Sequence, residues 1–297
     1  MKYGVIDLGS NTVRLSIYEM KQDQLILLYS LKEVIGLASF VNDDGYLSNQ
    51  GILKAIDVVN DFKDAASKFE NLKLYCIATA AIRNAKNSLD IIKQIEKDTN
   101  VKVILLTGVE EAVAGVMGIR EDFKIIDGLV VDIGGGSTEV SLIENEVIKH
   151  SVSLPMGSLN TYMNHVKELL PSDEEMIQIN NAFKDVLIKS NFPINKHSRI
   201  YGMGGTLNAI KKLIRALIND SVTPIQVNDL RKLLKKLYTN NKSTYLDLIR
   251  YTPERIHTLM PGLIIILTMM SIFDVEELNV SKRGIREGFI RSKIIIE

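Results

Sequence analysis

Hydrophobic and polar positions follow two periods along this chain. Strict alternation, which places side chains on opposite faces of a strand, runs from Val13 to Tyr18 and from Glu139 to Ile143. Apolar residues spaced three and four apart, typical of a helix with one buried face, run from Ile52 to Ala66. Because both kinds of segment recur along the chain, the pattern predicts the α/β fold class.

Turn and cap residues place the remaining elements. Ser48 or Asn49 is predicted to cap the first helix, and Ser172 to cap a long helix over residues 173–189. Further strands are predicted at residues 2–6, 24–31, 72–78, 102–106, 147–154 and 278–281, with another that begins at Arg199. Further helices are predicted from Thr79 to about Thr99, from Thr107, over 159–165, after the glycine turn 202–206, and, as a short last helix, after residues 283–288.

The longest apolar run, residues 259–273, is shorter than the roughly 20 residues that span a bilayer, so it is predicted to be a buried helix without membrane contact. The single cysteine, Cys76, lies in the apolar strand at 72–78 and is predicted to be a buried small hydrophobic residue rather than a nucleophile. One cysteine excludes a disulfide framework, and the first residues lead directly into a strand without the pattern of a signal peptide. Both features predict the cytoplasm.

Overall composition limits the function classes. At 297 residues and 46% hydrophobic content, the chain is long enough for two well-packed domains. Its 36 acidic and 36 basic residues give a net charge of zero, which gives no support to general nucleic-acid binding. The four histidines have no metal-ligand spacing, and each is interpreted as a surface or core residue.

Two glycine-containing loops, each between two predicted strands, carry the candidate chemistry. Asp132 to Glu139 encloses three consecutive glycines, and Asp7 to Thr12 repeats the arrangement near the N-terminus. Glycine lets backbone N–H groups converge on a phosphate, and the flanking acids suit a site that holds Mg²⁺ and an attacking water. The repeat predicts two related halves, 1–124 and 125–284.

Other junctions offer weaker signals. Thr79 and Arg83 lie where a strand runs into a helix, a place where an anion can bind. Glu110 and Glu111 begin another helix and, taken alone, are ordinary complements of its dipole. The turn Gly202–Thr206 is either a simple turn or a phosphate contact. Basic residues on the helices that follow are interpreted as solvated faces; these are Lys211, Lys212, Arg215, Arg231, Lys232, Lys235 and Lys236.

Together these motifs resemble the superfamily of acetate kinase, sugar kinases, Hsp70 and actin, and within it the family of exopolyphosphatases and guanosine pentaphosphate phosphohydrolases. The residues that carry the resemblance span nearly the whole chain: Asp7 to Asn11, Ala78 to Asn87, Gly108 to Ala112, Asp132 to Glu139, Gly204 to Thr206, and Ser281 with Arg286 to Gly288. The resemblance implies two actin-like (ribonuclease H-like) domains with an interdomain cleft, the first completed by the C-terminal helix 285–297.

The resemblance also implies an enzyme, a hydrolase of phosphoanhydride bonds. Its substrate would be inorganic polyphosphate, guanosine pentaphosphate or both, its cofactor Mg²⁺ or another divalent cation, and its assembly a homodimer. The implied catalytic residues are Glu111, which positions or deprotonates the water, Asp132 and Glu139. The implied metal ligands are Asp7, Asp132 and Glu139. The implied phosphate-binding residues are Gly9, Ser10, Asn11, Arg83, Gly134, Gly135, Gly136, Ser137, Thr138, Gly204, Gly205 and Thr206.

The chain departs from the family pattern in two places. Val34 stands where many relatives have an arginine, and the sequence ends at Glu297 without the additional helical domain of longer relatives. The first departure puts in doubt one basic contact to the polyphosphate chain or to a nucleotide. The second puts in doubt a long basic channel for processive work on long polymers, which favours short polyphosphates or the guanosine nucleotide.

Two alternatives use the same residues. A kinase would transfer a phosphoryl group from ATP to a small acceptor, with Gly202–Thr206 in an adenosine pocket. A sensor would bind the guanosine nucleotide with little or no turnover.

Overall fold

The computed structural model describes residues 1–220, 223–239 and 241–296. The chain forms two compact units: unit 1 holds residues 1–111 and the segment from Phe289 onward, and unit 2 holds residues 112–288. This division runs through the helix at residues 108–119. The predicted domains, 1–124 with 285–297 and 125–284, stay predictions.

Unit 1 is built on one five-stranded sheet with helices. Its strands are β1 (Lys2–Leu8), β2 (Thr12–Lys21), β3 (Gln24–Val34), β4 (Leu72–Ala78) and β5 (Val103–Leu105). Their order in the sheet is β3-β2-β1-β4-β5. The first three form an antiparallel meander, and β4 and β5 run parallel to β1. Its helices are α1 (Asn49–Ala66), α2 (Ala80–Arg83), α3 (Ser88–Thr99), the first turn of α4 (Gly108–Ile119) and the last part of α11 (Ile285–Ile296), with a 3-10 helix at Leu37–Phe40.

The core of unit 1 follows the predicted periodicity. Ser48 caps α1, as expected, by accepting a hydrogen bond from the Gly51 N–H, and the apolar face of α1 is buried. The Tyr75 and Phe289 rings pack edge to face, with centroids 5.5 Å apart. Cys76 is fully buried, and burial raises the pKa of its thiol above the ordinary value, so the structure confirms the core interpretation.

Unit 2 repeats the sheet order of unit 1. Its strands are β6 (Gly128–Ile133), β7 (Thr138–Glu144), β8 (Val147–Leu154), β9 (Arg199–Met203), β10 (Ile225–Gln226) and β11 (Glu277–Val280). Their order is β10-β11-β9-β6-β7-β8, so β8, β7, β6, β9 and β11 match the five strands of unit 1, and β10 adds an antiparallel edge. This topology confirms the predicted repeat and the α/β class with two actin-like domains.

Helices surround this second sheet. They are α5 (Ser158–His165), α6 (Asp173–Lys189), α7 (Gly204–Leu217), α8 (Val227–Tyr238), α9 (Lys242–Tyr251) and α10 (Ile256–Ile272), with a 3-10 helix at Pro253–Arg255. Ser172 and Glu175 form a reciprocal capping box at the start of α6, which confirms the predicted cap.

Helix α10 is the centre of the unit 2 core. It packs against α5, α6, α7 and α8, and twelve of its residues are buried. The run Pro253–Ile272 is long and apolar enough to cross a membrane by length and composition, but 67% of it is buried inside the protein. The structure thus confirms the predicted core helix.

Three local predictions needed correction. The helix expected from Thr79 to Thr99 is two helices, α2 and α3, separated by residues 84–87, where Asn87 turns to bond the backbone of Leu47 through both side-chain atoms. The glycine turn at 202–206 is the direct passage from β9 into α7. The last helix, α11, has twelve residues and is not short.

Candidate active site

The predicted site residues of unit 1 lie along one edge of its sheet. Leu8 at the end of β1 pairs with Ala78 of β4, which pairs with Leu105 of β5. These three parallel strands therefore end together, and the segments after them share one edge. In open α/β sheets, ligands bind outside the carboxyl ends of the parallel strands.

In the first glycine loop, residues 9–11, two carbonyl groups are hydrogen-bonded to a neighbouring segment. The Ser10 carbonyl accepts from the Ala38 N–H and the Asn11 carbonyl from the Gly36 N–H, each at 2.9 Å. Among the described residues, no backbone hydrogen bond uses the N–H of Ser10 or Asn11 as donor. Fixed carbonyls with unused N–H groups are the arrangement that an anion-binding loop requires.

Asn11 adds a buried donor to this loop. Its side chain is only 6% exposed, and its Nδ2 atom is buried without an acceptor within the described part of the chain. Leaving such a donor unsatisfied costs about 1–3 kcal/mol. A phosphate oxygen in the loop is the partner that this donor fits.

Two further predicted contacts of unit 1 have defined partners. The Thr79 hydroxyl and the Thr79 N–H both reach the Leu8 carbonyl at 3.4 Å, so Thr79 links β4 to the first loop and its hydroxyl is engaged. Arg83 Nη1 donates to Glu111 Oε2 at 2.5 Å and to the Leu106 carbonyl at 3.1 Å. Both ends of this ion pair are mostly buried, with side-chain exposures of 15% and 13%.

Glu110 and Glu111 differ sharply although they are neighbours. Glu110 is exposed and accepts from the Thr107 N–H and hydroxyl, which lowers the pKa of its carboxyl below the ordinary value. It therefore complements the start of α4, the role that the sequence pattern alone gave to both acids. Glu111 instead pairs with Arg83.

The second glycine loop, residues 134–137, also has its carbonyl groups hydrogen-bonded to a neighbouring segment. The Gly134 carbonyl accepts from the Ser158 N–H at 2.8 Å, and the Gly135 carbonyl from the Leu159 and Asn160 N–H groups at 2.9 and 3.0 Å. Asn160 Nδ2 donates to the Gly136 carbonyl. In the described parts of the chain, the N–H groups of residues 135, 136 and 137 donate to no backbone acceptor. Sequence reasoning missed this support from the start of α5.

The polar side chains of the second loop hold it in place. Glu139, opposite Asp132 in the hairpin and only 4% exposed, accepts at Oε1 from the Ser137 and Ser153 hydroxyls, each at 2.7 Å. The fully buried Thr138 hydroxyl donates to the Met156 carbonyl at 2.6 Å. In this structure the hydroxyls of Ser137 and Thr138 therefore bond to protein groups and stabilise the loop.

Gly204 makes room for Asp132. Its φ is +83°, and a Cβ at this position would lie 2.0 Å from Asp132 Oδ1. Only glycine meets both the backbone and the space requirement here. The carboxylate of Asp132 therefore rests on the first turn of α7, where the helix dipole favours negative charge.

The structure gives Arg255 a specific partner in unit 2. Arg255 is half-buried in the 3-10 helix before α10. Its Nη1 lies 3.3 Å from Thr206 Oγ1, and its Nη2 occupies the place of a Cβ on Gly205. The sequence pattern does not show this contact, since about 50 residues of chain separate Arg255 from the turn that it covers.

The described carboxylates do not by themselves form a metal-binding cluster. Within residues 1–220, 223–239 and 241–296, no group of three or more His, Cys, Asp or Glu side chains could hold a metal ion. Mg²⁺ usually keeps several waters and binds through one or two carboxylates and substrate phosphates. Asp132, half-buried at the sheet edge, suits such an ion. The predicted set of Asp7, Asp132 and Glu139 stays a prediction.

Comparison with known proteins adds independent information. Exopolyphosphatase 1 of Mycobacterium leprae is 23% identical over 304 residues, which cover 99% of this chain and 90% of that protein. The guanosine-5'-triphosphate,3'-diphosphate pyrophosphatase of Photobacterium profundum is 25% identical over 97% of this chain, a match that spans only 58% of that longer protein.

Solved structures agree with the fold. The Aquifex aeolicus PPX-GPPA enzyme superposes with a TM-score of 0.78 at 25% identity and covers 98% of this chain and 99% of its own. An exopolyphosphatase from Cytophaga hutchinsonii gives a TM-score of 0.86 at 21% identity over 99% and 98% of the two chains, a likeness of fold alone. Since the profile of the Ppx/GppA phosphatase family matches residues 16–295, this chain belongs to that family.

Proposed function

We infer that this protein is a phosphohydrolase that releases the terminal phosphate of inorganic polyphosphate, converts guanosine pentaphosphate to guanosine tetraphosphate, or does both. The observation that carries this inference is the pair of glycine loops at equivalent places in the two sheets. In both loops the carbonyls bond to neighbouring segments and N–H groups are left for an anion. Membership of a phosphatase family and the names of the relatives agree with it.

Glu111 is proposed to position the attacking water and to accept its proton. Its ion pair with Arg83 fixes the carboxylate in one orientation, which is what a general base requires. We assign the Arg83 guanidinium, whose charge and planar fork of donors match phosphoryl oxygens, to the equatorial oxygens of the transferred phosphoryl group, where charge spreads in the transition state.

The remaining predicted residues hold the phosphates and the cation. Bound Mg²⁺ would supply charge neutralisation on the phosphate oxygens. Asp132 and, as predicted, Asp7 and Glu139 are the carboxylates proposed to hold it. The proposed phosphate contacts come from Gly9, Ser10, Asn11, Gly134, Gly135, Gly136, Ser137, Thr138, Gly204, Gly205 and Thr206, and from Arg255, which the structure adds to this set.

The direct test is phosphate release by the purified protein. With Mg²⁺ present, tripolyphosphate, longer polyphosphates and guanosine pentaphosphate are offered separately, and we expect phosphate from at least one. Absence of phosphate release from all of them would overturn the proposed function. The same panel run with a chelator checks the dependence on a divalent cation.

Neither alternative is favoured by the comparisons. A kinase needs an adenosine pocket, and its only sequence support, residues 202–206, is the passage into α7 where Asp132 rests. A sensor without turnover would bind guanosine pentaphosphate in a calorimeter and leave it intact. The predicted homodimer and the predicted cytoplasmic location remain proposals.

Substituting Val34 with arginine is expected to lower KM for polyphosphate by about 2–10-fold. Val34 is 43% exposed and pairs with Thr12, the residue directly after the first loop, so a guanidinium there would lie near the bound anion. Steady-state kinetics at low and high salt measure the effect, which should shrink with salt. Val34→Gln, which adds length without charge, is the control. An equal KM for both variants would contradict the expectation.

Substituting Asp132 with asparagine is expected to raise the Mg²⁺ concentration for half-maximal activity by about 10–100-fold, because one anionic ligand is lost. A titration of activity with Mg²⁺ measures the shift. Glu144→Gln, an exposed residue at the end of β7, is the control and should leave the titration unchanged. An unchanged Mg²⁺ dependence in Asp132→Asn would remove Asp132 from the metal site.

A further inference from the structure

Three cationic side chains form a cluster in unit 2, which we name the basic cluster: Lys211, Arg215 and Lys282. Lys211 and Arg215 lie one turn apart on α7, and Lys282 follows β11. The sequence pattern suggested that Lys211 belongs to a solvated helix face. In the structure it is half-buried, and its Nζ donates to the Val280 carbonyl at 2.9 Å.

The positive charges of the basic cluster act on Lys211. Burial first, and then the positive charges of Arg215 and Lys282, lower the pKa of the Lys211 ammonium, and Asp122 opposes them more weakly. Among the described residues, none of the three cations forms an ion pair with a carboxylate side chain. An anion would relieve this repulsion.

The nearby acids already have partners. Arg283 pairs with Glu121 at 3.0 Å and with Asp122 at 3.3 Å. Asp122 Oδ2 also accepts from the Ser281 hydroxyl and the Lys282 N–H. Because Asp122 is engaged by these contacts, it offsets the charge of the basic cluster only in part.

The cluster is rigidly connected to the candidate active site of its unit. Asn208 Nδ2 donates to the Gly204 carbonyl at 2.9 Å and to the Ser281 carbonyl at 2.8 Å, which ties the first turn of α7 to the end of β11. Lys211 lies seven residues after Gly204, a rise of about 10 Å along the helix. A ligand that reaches from Asp132 along α7 for this distance would meet the cluster.

We propose that the basic cluster binds phosphoryl groups of the substrate that are remote from the bond being broken. This inference rests on the proposed function. Two substrates carry such groups: a polyphosphate has them farther along the chain, and guanosine pentaphosphate has them as its 3'-diphosphate. Tripolyphosphate and GTP lack them and serve as matched short substrates.

The test compares wild type with the double variant Lys211→Gln/Lys282→Gln. We expect KM for the longer polyphosphates, or for guanosine pentaphosphate, to rise about 10–100-fold, the range for lost hydrogen bonds to charged groups. The kcat, and KM for the short substrate of the same class, should stay within about twofold. The substrate whose KM rises, longer polyphosphate or guanosine pentaphosphate, identifies the source of the phosphoryl groups that the basic cluster binds. Lys212→Gln, exposed and adjacent on the helix, and the charge-retaining Lys211→Arg are the controls.

The outcomes separate this inference from the proposed function. An equal rise of KM for long and short substrates, or no rise for any substrate, overturns the basic cluster as a remote subsite. If wild type hydrolyses none of the substrates, the proposed function fails, and the basic cluster is then tested by measuring binding affinity. Calorimetry without Mg²⁺ then titrates polyphosphate or guanosine tetraphosphate into both proteins. Weaker binding to the double variant by the same factor supports the subsite, and equal affinity overturns it.

Discussion

Replacing Glu111 with glutamine is expected to lower kcat by about 10²–10⁴-fold, the usual contribution of a positioned general base. Glutamine keeps an acceptor for Arg83 Nη1, so the side chain should hold its place while the proton acceptor is lost. Stability should change by less than about 2 kcal/mol, because one charge-assisted hydrogen bond becomes a neutral one. Single-turnover phosphate release and thermal unfolding measure the two effects separately.

Glu110→Gln is the matched control for this variant. Glu110 occupies the same helical turn but is exposed, and its side chain accepts from the Thr107 N–H and hydroxyl, a role that glutamine can keep. Its kcat should stay within about twofold of wild type. Comparable losses in both variants would show that charge at the start of α4, rather than a base at Glu111, supports the reaction.

A double-mutant cycle defines what Arg83 does. If Arg83 only holds Glu111, then Arg83→Gln should cause no additional loss once Glu111 is glutamine. If Arg83 also contacts the substrate, as we propose, KM should rise in the Glu111→Gln background as well. The ratio of the four kcat/KM values therefore separates positioning from phosphate binding.

Gly204→Ala is expected to reduce kcat/KM by more than about 100-fold while the protein stays folded. A Cβ at Gly204 would lie 2.0 Å from Asp132 Oδ1, so the carboxylate must leave its position. The backbone cost of alanine at φ +83° is about 1–2 kcal/mol, which a domain of ordinary stability tolerates. Steady-state kinetics and thermal unfolding are again the measurements.

Gly45→Ala isolates the backbone cost. Gly45 has nearly the same φ, +84°, but its Cβ would meet only the Lys86 side chain at an ordinary 3.6 Å. We therefore expect a similar loss of stability without a loss of activity. If the two variants lose activity equally, displacement of Asp132 is not the cause and the assignment of this carboxylate fails.

Local chemistry was enough to place most elements of this chain. The strand at Leu72–Ala78, the strand at Val147–Leu154 and the capped helix Asp173–Lys189 match their predicted bounds. Periodicity, caps and turn residues act between neighbours a few positions apart, and these interactions can be seen in the sequence. The repeated loop after Asp7 and Asp132 likewise revealed two related halves, because each half encodes its own strand, loop and strand.

Contacts between distant residues were decided only by the tertiary structure. Nothing in the local pattern says that residues 36 and 38 hold the carbonyls of the first loop, or that Arg255 lies on the turn of Thr206. The same holds for Lys211, whose ammonium is half-buried and donates to a carbonyl at a strand end about 70 residues away. Hydrogen-bond direction and burial depend on which segments the fold brings together. Residue types therefore indicated phosphate chemistry, and only packing across long sequence separations could define the orientation of each donor.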